Sequence, residues 1–142
     1  MPLWLKVALR RVGASREVEA SAKVNTGFTI GPRPFIRLPR SLVEELGFDL
    51  SRAELMPGIS DAGGRTLPVY WLGPVEVRVV VPDRITNWVR AIAVFTGAPS
   101  ILLNDVLTAR LKIAIEDPEV GLWRFRDEPL NKLRESAKPE LY

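Results

Sequence analysis

The sequence predicts an all-β domain, a barrel or sandwich carrying two short helices, on three observations. Apolar residues recur at period two in several short runs, β-branched residues crowd the runs near 75–81 and 89–95, and glycine or proline punctuates the intervals. Helical spacing shows in just two brief stretches. The 142 residues suit one domain, and 46% hydrophobic content is enough to bury a core without metal or disulfide support.

Taken in order, Leu3 to Val12 alternates loosely through Leu3, Leu5, Val7 and Leu9, and the next run puts Val18, Ala20, Ala22 and Val24 on one face. Both read as strands. Asn25-Thr26-Gly27-Phe28 breaks the pattern, and Gly31, Pro32 and Pro34 hold a loop until Phe35-Ile36-Arg37-Leu38 resumes an extended run. Pro39 suits a helix start, Leu42, Val43 and Leu46 share one helical face, and Gly47 fits just past the end. Ala53 to Met56 and Thr66 to Leu72 flank Ser60-Asp61-Ala62-Gly63-Gly64, whose glycines suit a hairpin tip. Val75 to Val81 and Val89 to Phe95 read as two further strands, each buried. Ile101-Leu102-Leu103 leads into Asn104-Asp105, a cap for a second helix through Leu111, with Asp105 read as the capping acid rather than a catalytic one. Lys112 to Ile115 and Gly121 to Phe125 form a closing hairpin around Asp117-Pro118. Trp71, Trp88 and Trp123 are expected in the core. Residues 1–127 make the domain, and 128–142 a polar tail or short helix.

Composition closes many chemistries. Without cysteine or histidine the chain lacks thiolate nucleophiles, zinc thiolate sites, the usual general base and the commonest metal ligand, so neither metal nor cofactor is expected. No run approaches the roughly 20 apolar residues of a membrane span, and the charges of MPLWLKVALRRV follow its apolar residues, unlike a leader's. A soluble cytoplasmic protein is the expectation. The net charge of +3 is scattered, so nucleic acid is not an expected partner. Absent glutamine, scarce asparagine, 12 prolines and a bias to arginine follow the drift of proteins from hot environments.

Three blocks resemble the retropepsin-like aspartic proteases, including single-lobe bacterial and archaeal members. The first is Ala22-Lys23-Val24-Asn25-Thr26-Gly27-Phe28-Thr29 with Leu38-Pro39 and Leu42 to Gly47, similar to the family's Asp-Thr-Gly loop and its downstream helix. The second is Asp61-Ala62-Gly63-Gly64, placed as the flap hairpin would be. The third is Ser100 to Leu107, similar to the apolar strand and short helix behind the catalytic loop, followed by Trp123-Arg124-Phe125 as a final strand. The resemblance spans roughly positions 18 to 126 and implies an acid-protease barrel, one lobe per chain. Two departures accompany it: Asn25 stands where the family has aspartate, and Leu103 where it usually has glycine.

By that resemblance Asn25, Thr26 and Gly27 occupy the catalytic loop, Phe28, Ile36 and Ile101 line the substrate cleft, and Asp61, Ala62, Gly63 and Gly64 cover it. The cleft forms in a homodimer and takes a peptide or protein in extended form. Aspartic proteases need two close carboxylates sharing one proton, one as base and one as donor to the scissile carbonyl. An asparagine pair keeps the shape and the hydrogen bonding but has no state that takes a proton from water. The implied function is an aspartic endopeptidase fold that is inactive as given, either a natural pseudoprotease or an engineered block. An engineered change would account for Asn25 but not for Leu103. A different resemblance competes over a tenth of the chain: Arg37 to Gly47 is similar to the core of AbrB-type swapped-hairpin DNA-binding domains, in which Arg33, Arg37 and Arg40 would meet phosphates.

Overall fold

The computed structural model describes residues 3–24, 32–60 and 66–142. The chain runs β1 (Trp4–Arg11), β2 (Val18–Val24), β3 (Phe35–Arg37), α1 (Arg40–Glu45), a 3-10 turn at Leu50–Arg52, β4 (Glu54–Ser60), β5 (Thr66–Val79), β6 (Val89–Phe95), β7 (Ile101–Leu103), α2 (Asp105–Arg110), β8 (Ile113–Asp117), β9 (Leu122–Phe125) and β10 (Arg134–Glu135). Seven strands lie in the order β1-β2-β7-β3-β6-β5-β4, and a second pairing of β1 with β5 closes six of them into a barrel, leaving β4 outside on β5. Strands β8, β9 and β10 form a small separate sheet. The all-β class with two short helices in one lobe is therefore the one the chain adopts.

Period-two patterning explains which face closes inward. Leu5, Val7 and Leu9 of β1, Ala20 and Ala22 of β2, Ile36 of β3, Val75, Val77 and Val79 of β5, Ala91 and Ala93 of β6, and Ile101 and Leu103 of β7 meet in one buried cluster. The alanines leave room inside a narrow barrel for the larger side chains opposite. Helices α1 and α2 close the cluster through Leu42, Val43 and Leu107, each at most 1% exposed. Helix α1 ends as its sequence requires: Gly47 adopts φ +85°, its N–H donates to Glu44 O, and Phe48 N–H donates to Val43 O. That pair of bonds satisfies two carbonyls that the helix end would leave bare.

Four expectations need correction. Thr66 to Leu72 and Val75 to Val81 are one strand, β5, because Gly73 at φ 148° absorbs a shift in register between Trp71 and Gly73 instead of ending the pairing with β6. Asn104, not Asp105, caps α2: its Oδ1 accepts from Leu107 N, while Asp105 is exposed in the first turn. Of the three tryptophans expected in the core only Trp123 is there, at 3% exposure. Trp88 is half-buried and packs its ring against the guanidinium groups of Arg10 and Arg78, and Trp71 belongs to a second cluster.

Residues 128–142 form no helix. They strap the outside of the barrel: β10 pairs with β9, Ser136 Oγ accepts from Trp4 N and Ala137 N donates to Trp4 O, Glu140 Oε1 accepts from Ser21 N, and Tyr142 N donates to Pro99 O. Asp83, Glu128, Lys132 and Arg134 pin the strap's start to the turn after β5.

Candidate functional site

Strand β2 ends at Val24, which pairs in parallel register with Leu103 of β7. The next residue of the chain after Leu103 holds the returning backbone. Asn104 is 1% exposed, and its Oδ1 accepts from Phe35 N at 3.0 Å as well as from Leu107 N at 2.9 Å, while its Nδ2 donates to Arg33 O at 2.8 Å. A buried asparagine can satisfy all these groups because it is both donor and acceptor. Entry to and exit from the 25–31 segment are thus fastened to two consecutive residues, Leu103 and Asn104. Asn25, Thr26, Gly27 and Phe28 themselves lie outside the described residues, as do Asp61, Ala62, Gly63 and Gly64.

Ile36 and Ile101 are fully enclosed, each 0% exposed and part of the barrel core. Neither lines a surface of the chain, so the wall role expected of them is not one they occupy. In an alternating strand the neighbour of an inward residue faces out, and on β3 that neighbour is Phe35. Leu103 is also 0% exposed. Where the resemblance implies a glycine, the leucine side chain has been taken into the core.

The outward faces of β3, β5 and β6, with Met56 of β4, build a second apolar cluster. Phe35, Val69 and Val94 are its buried floor, and Met56, Trp71 and Ile92 its partly exposed rim. Phe35 meets Trp71 edge-on, with centroids 5.9 Å apart and planes at 82°, the arrangement that the ring quadrupoles favour. The Arg33 guanidinium lies over the same Trp71 ring, 5.9 Å from its centroid. This patch sits where the chain returns from the 25–31 segment, at the base of the β4–β5 hairpin. Sequence reasoning missed it, although a signal existed: β6 reads Val-Arg-Ala-Ile-Ala-Val-Phe, apolar on both faces, as a strand covered on both sides does.

The other arginines expected to reach phosphates are used within the chain. Arg37 donates to Ser100 O through Nε and Nη2 at 3.3 and 3.2 Å, and to Ser100 Oγ at 2.8 Å; desolvation by burial lowers its pKa from the usual arginine value. Arg40 lies over Phe95. Segment 35–47 is β3 followed by α1, set inside the barrel wall by pairing with β6 and β7.

No protein-family model matches the chain, and no curated protein does. Among solved structures it is similar to the retroviral protease-like domain of Ddi1 from Leishmania major, with 13% identity and a TM-score of 0.49 over 93% of this chain and 98% of that one. It is also similar to a retropepsin-like aspartic protease from Rickettsia conorii, with 16% identity and a TM-score of 0.46 over 83% of this chain and 86% of that one. Among the described residues no helix is long and apolar enough to cross a membrane.

Proposed function

We propose that the chain is a retropepsin-like, single-lobe protein that dimerises to form a cleft for an extended peptide, and that it holds the peptide without cleaving it. The observation that carries this reading is the β2–β7 junction: the strand leading into Asn25-Thr26-Gly27 pairs in parallel with Ile101-Leu102-Leu103, and an Asn104-capped helix stands directly behind. That is the arrangement the first and third sequence blocks imply. The apolar patch beside it supplies a surface for a peptide's alternate side chains, next to the outer edge of β4, which has no further strand partner among the described residues.

Asn25 decides the chemistry. Two such residues facing each other across a twofold axis offer amide donors and acceptors but no carboxylate to activate water, and removing a general base alone costs on the order of 100- to 10,000-fold in rate. The protein then works as an intracellular peptide-binding dimer. In the test, the purified chain is weighed by sedimentation and titrated calorimetrically with a statine-containing transition-state mimic. A dimer that takes one mimic per two chains and hydrolyses no peptide is the expected result. A monomer that takes none, or acid-side proteolysis by the unmodified chain that the mimic blocks, overturns the reading.

A further inference from the structure

Four arginine–tryptophan stacks occur among the described residues, and three of them are neutralised. Arg10 and Arg78, which share Trp88, are ion-paired to Glu76 and Glu17. Arg134, over Trp123, is ion-paired to Glu128 and Asp83. Arg33, over Trp71, is exposed and has no ion pair among the described residues. Its backbone is held by Asn104, which binds its carbonyl and the N–H of Phe35 two residues on, and its guanidinium lies 5.9 Å from the Trp71 centroid, within cation–π range.

A guanidinium laid on an aromatic face turns its N–H edges outward, the geometry that takes a carboxylate in two parallel hydrogen bonds. Because the ring and the backbone anchor already restrict it, less side-chain freedom is lost on binding than with a free arginine. The apolar rim of Met56, Trp71 and Ile92 beside it displaces water and strengthens the attraction. One carboxylate stands near in register: Glu54 is directly across from Trp71 on β4 and exposed, yet it makes no ion pair with Arg33.

We propose that Arg33 sets specificity at the peptide site by selecting an acidic side chain next to an apolar one that rests on Met56, Trp71 and Ile92. This rests on the peptide-cleft reading above. Arg33 supplies the cation, Trp71 its platform, and Asn104 is the positioning residue; Glu54 opposes an incoming acid and so keeps the preference moderate.

The experiment uses the full chain and fluorescence anisotropy with labelled decapeptides of one apolar framework, in which a single Glu, Gln or Lys is moved stepwise along the peptide. At one position Glu binds about 5- to 20-fold tighter than Gln, and Lys binds weakest. Arg33→Gln removes that discrimination, Glu54→Gln enlarges it, and 0.5 M salt shrinks it, as expected for a rim charge. If peptides bind with no charge preference, or the Glu preference survives Arg33→Gln, the role of Arg33 is refuted and the cleft stands. If no peptide in the set associates, the cleft reading falls and this inference with it.

Discussion

Replacing Asn104 by alanine is the most demanding test of how the candidate site is built. The side chain's three hydrogen bonds, to Phe35 N, Leu107 N and Arg33 O, all disappear together. Loss of the helix cap costs about 1 kcal/mol. The Phe35 bond is buried, and leaving its N–H without a partner adds about 1 to 3 kcal/mol. The total, about 2 to 4 kcal/mol, lowers the melting temperature by roughly 5 to 15 °C in a domain of this size. Asn104→Asp is the matched control: protonated, it keeps an acceptor for both N–H groups and a donor for Arg33 O, whereas ionised it loses that donor and buries a charge, so its cost grows with pH. Urea unfolding followed by circular dichroism measures both, with an unchanged slope certifying that the shift is one of stability. An alanine variant within about 0.5 kcal/mol of the parent, the range of ordinary surface substitutions, refutes the claim that Asn104 fastens the chain there.

Four further outcomes are expected. Hydrogen bonds from Arg134 and then Lys132 hold Glu128 at about 2, and those from Lys132 and Arg134 hold Asp83 at about 2; Asp127 is likewise held below its ordinary range, first by Arg84. Since depressed carboxylate pKa values stabilise the fold above the unfolded value and lose that contribution as pH falls, the strap loosens between about pH 4.5 and pH 2, read by limited proteolysis within 128–142, and Glu128→Gln flattens the profile. Gly121→Ala destabilises the β8–β9 turn by about 1 to 2 kcal/mol or more, because φ is +79° and the added Cβ would stand 2.8 Å from Ser136 Cβ; exchange of β10 amides should rise with it. Leu103→Gly costs about 3 to 6 kcal/mol, the cavity plus the lost strand preference, and denaturation shows whether the barrel depends on the leucine. In the proposed dimer, Asn25→Asp brings two aspartates together, which repel unless one is protonated, and so makes association acid-dependent; sedimentation at pH 4 and pH 8 detects it, and a peptide-cleavage assay shows whether base chemistry returns.

Much of the barrel was legible in sequence because its signals are local. Leu5, Val7 and Leu9 alternate as an inward face must, and Pro39, the 42/43/46 spacing and Gly47 mark α1 at both ends. Strand β5 was misread since Gly73-Pro74 looks like a break, whereas a bulge needs the same residues. The strap gave no periodic signal: its polar residues are held by main-chain partners and charges far away in sequence, such as Ser21 and Asp83. Of the site, the motifs Asn25-Thr26-Gly27-Phe28 and Asp61 to Gly64 lie outside the described residues, and the walls differ from those expected. Ile36 and Ile101 were chosen by their place in blocks of sequence, but strand parity turns both inward and brings Phe35 out instead. Nor does spacing alone reveal that Arg33 and Trp71 meet, as the 37 intervening residues include β3, α1 and all of β4.

The strap carries a consequence for biosynthesis. Trp4 reaches its hydrogen-bond partners in Ser136 and Ala137, and Ser21 its partner in Glu140, across separations of 132 and 119 residues for the two side-chain bonds. A ribosome emits roughly 5 to 20 residues each second, so the first strand waits for several seconds before the segment that covers it exists. During that interval Trp4, buried in the finished protein, is presented to solvent, and β1 also lacks β5 as its second neighbour until residue 79 has emerged. Non-local pairing of this kind folds slowly even when the whole chain is present. The nascent protein therefore passes through an obligatory window in which an aromatic-bearing strand edge is uncovered, and chaperone capture at the ribosome should map to residues 3–9.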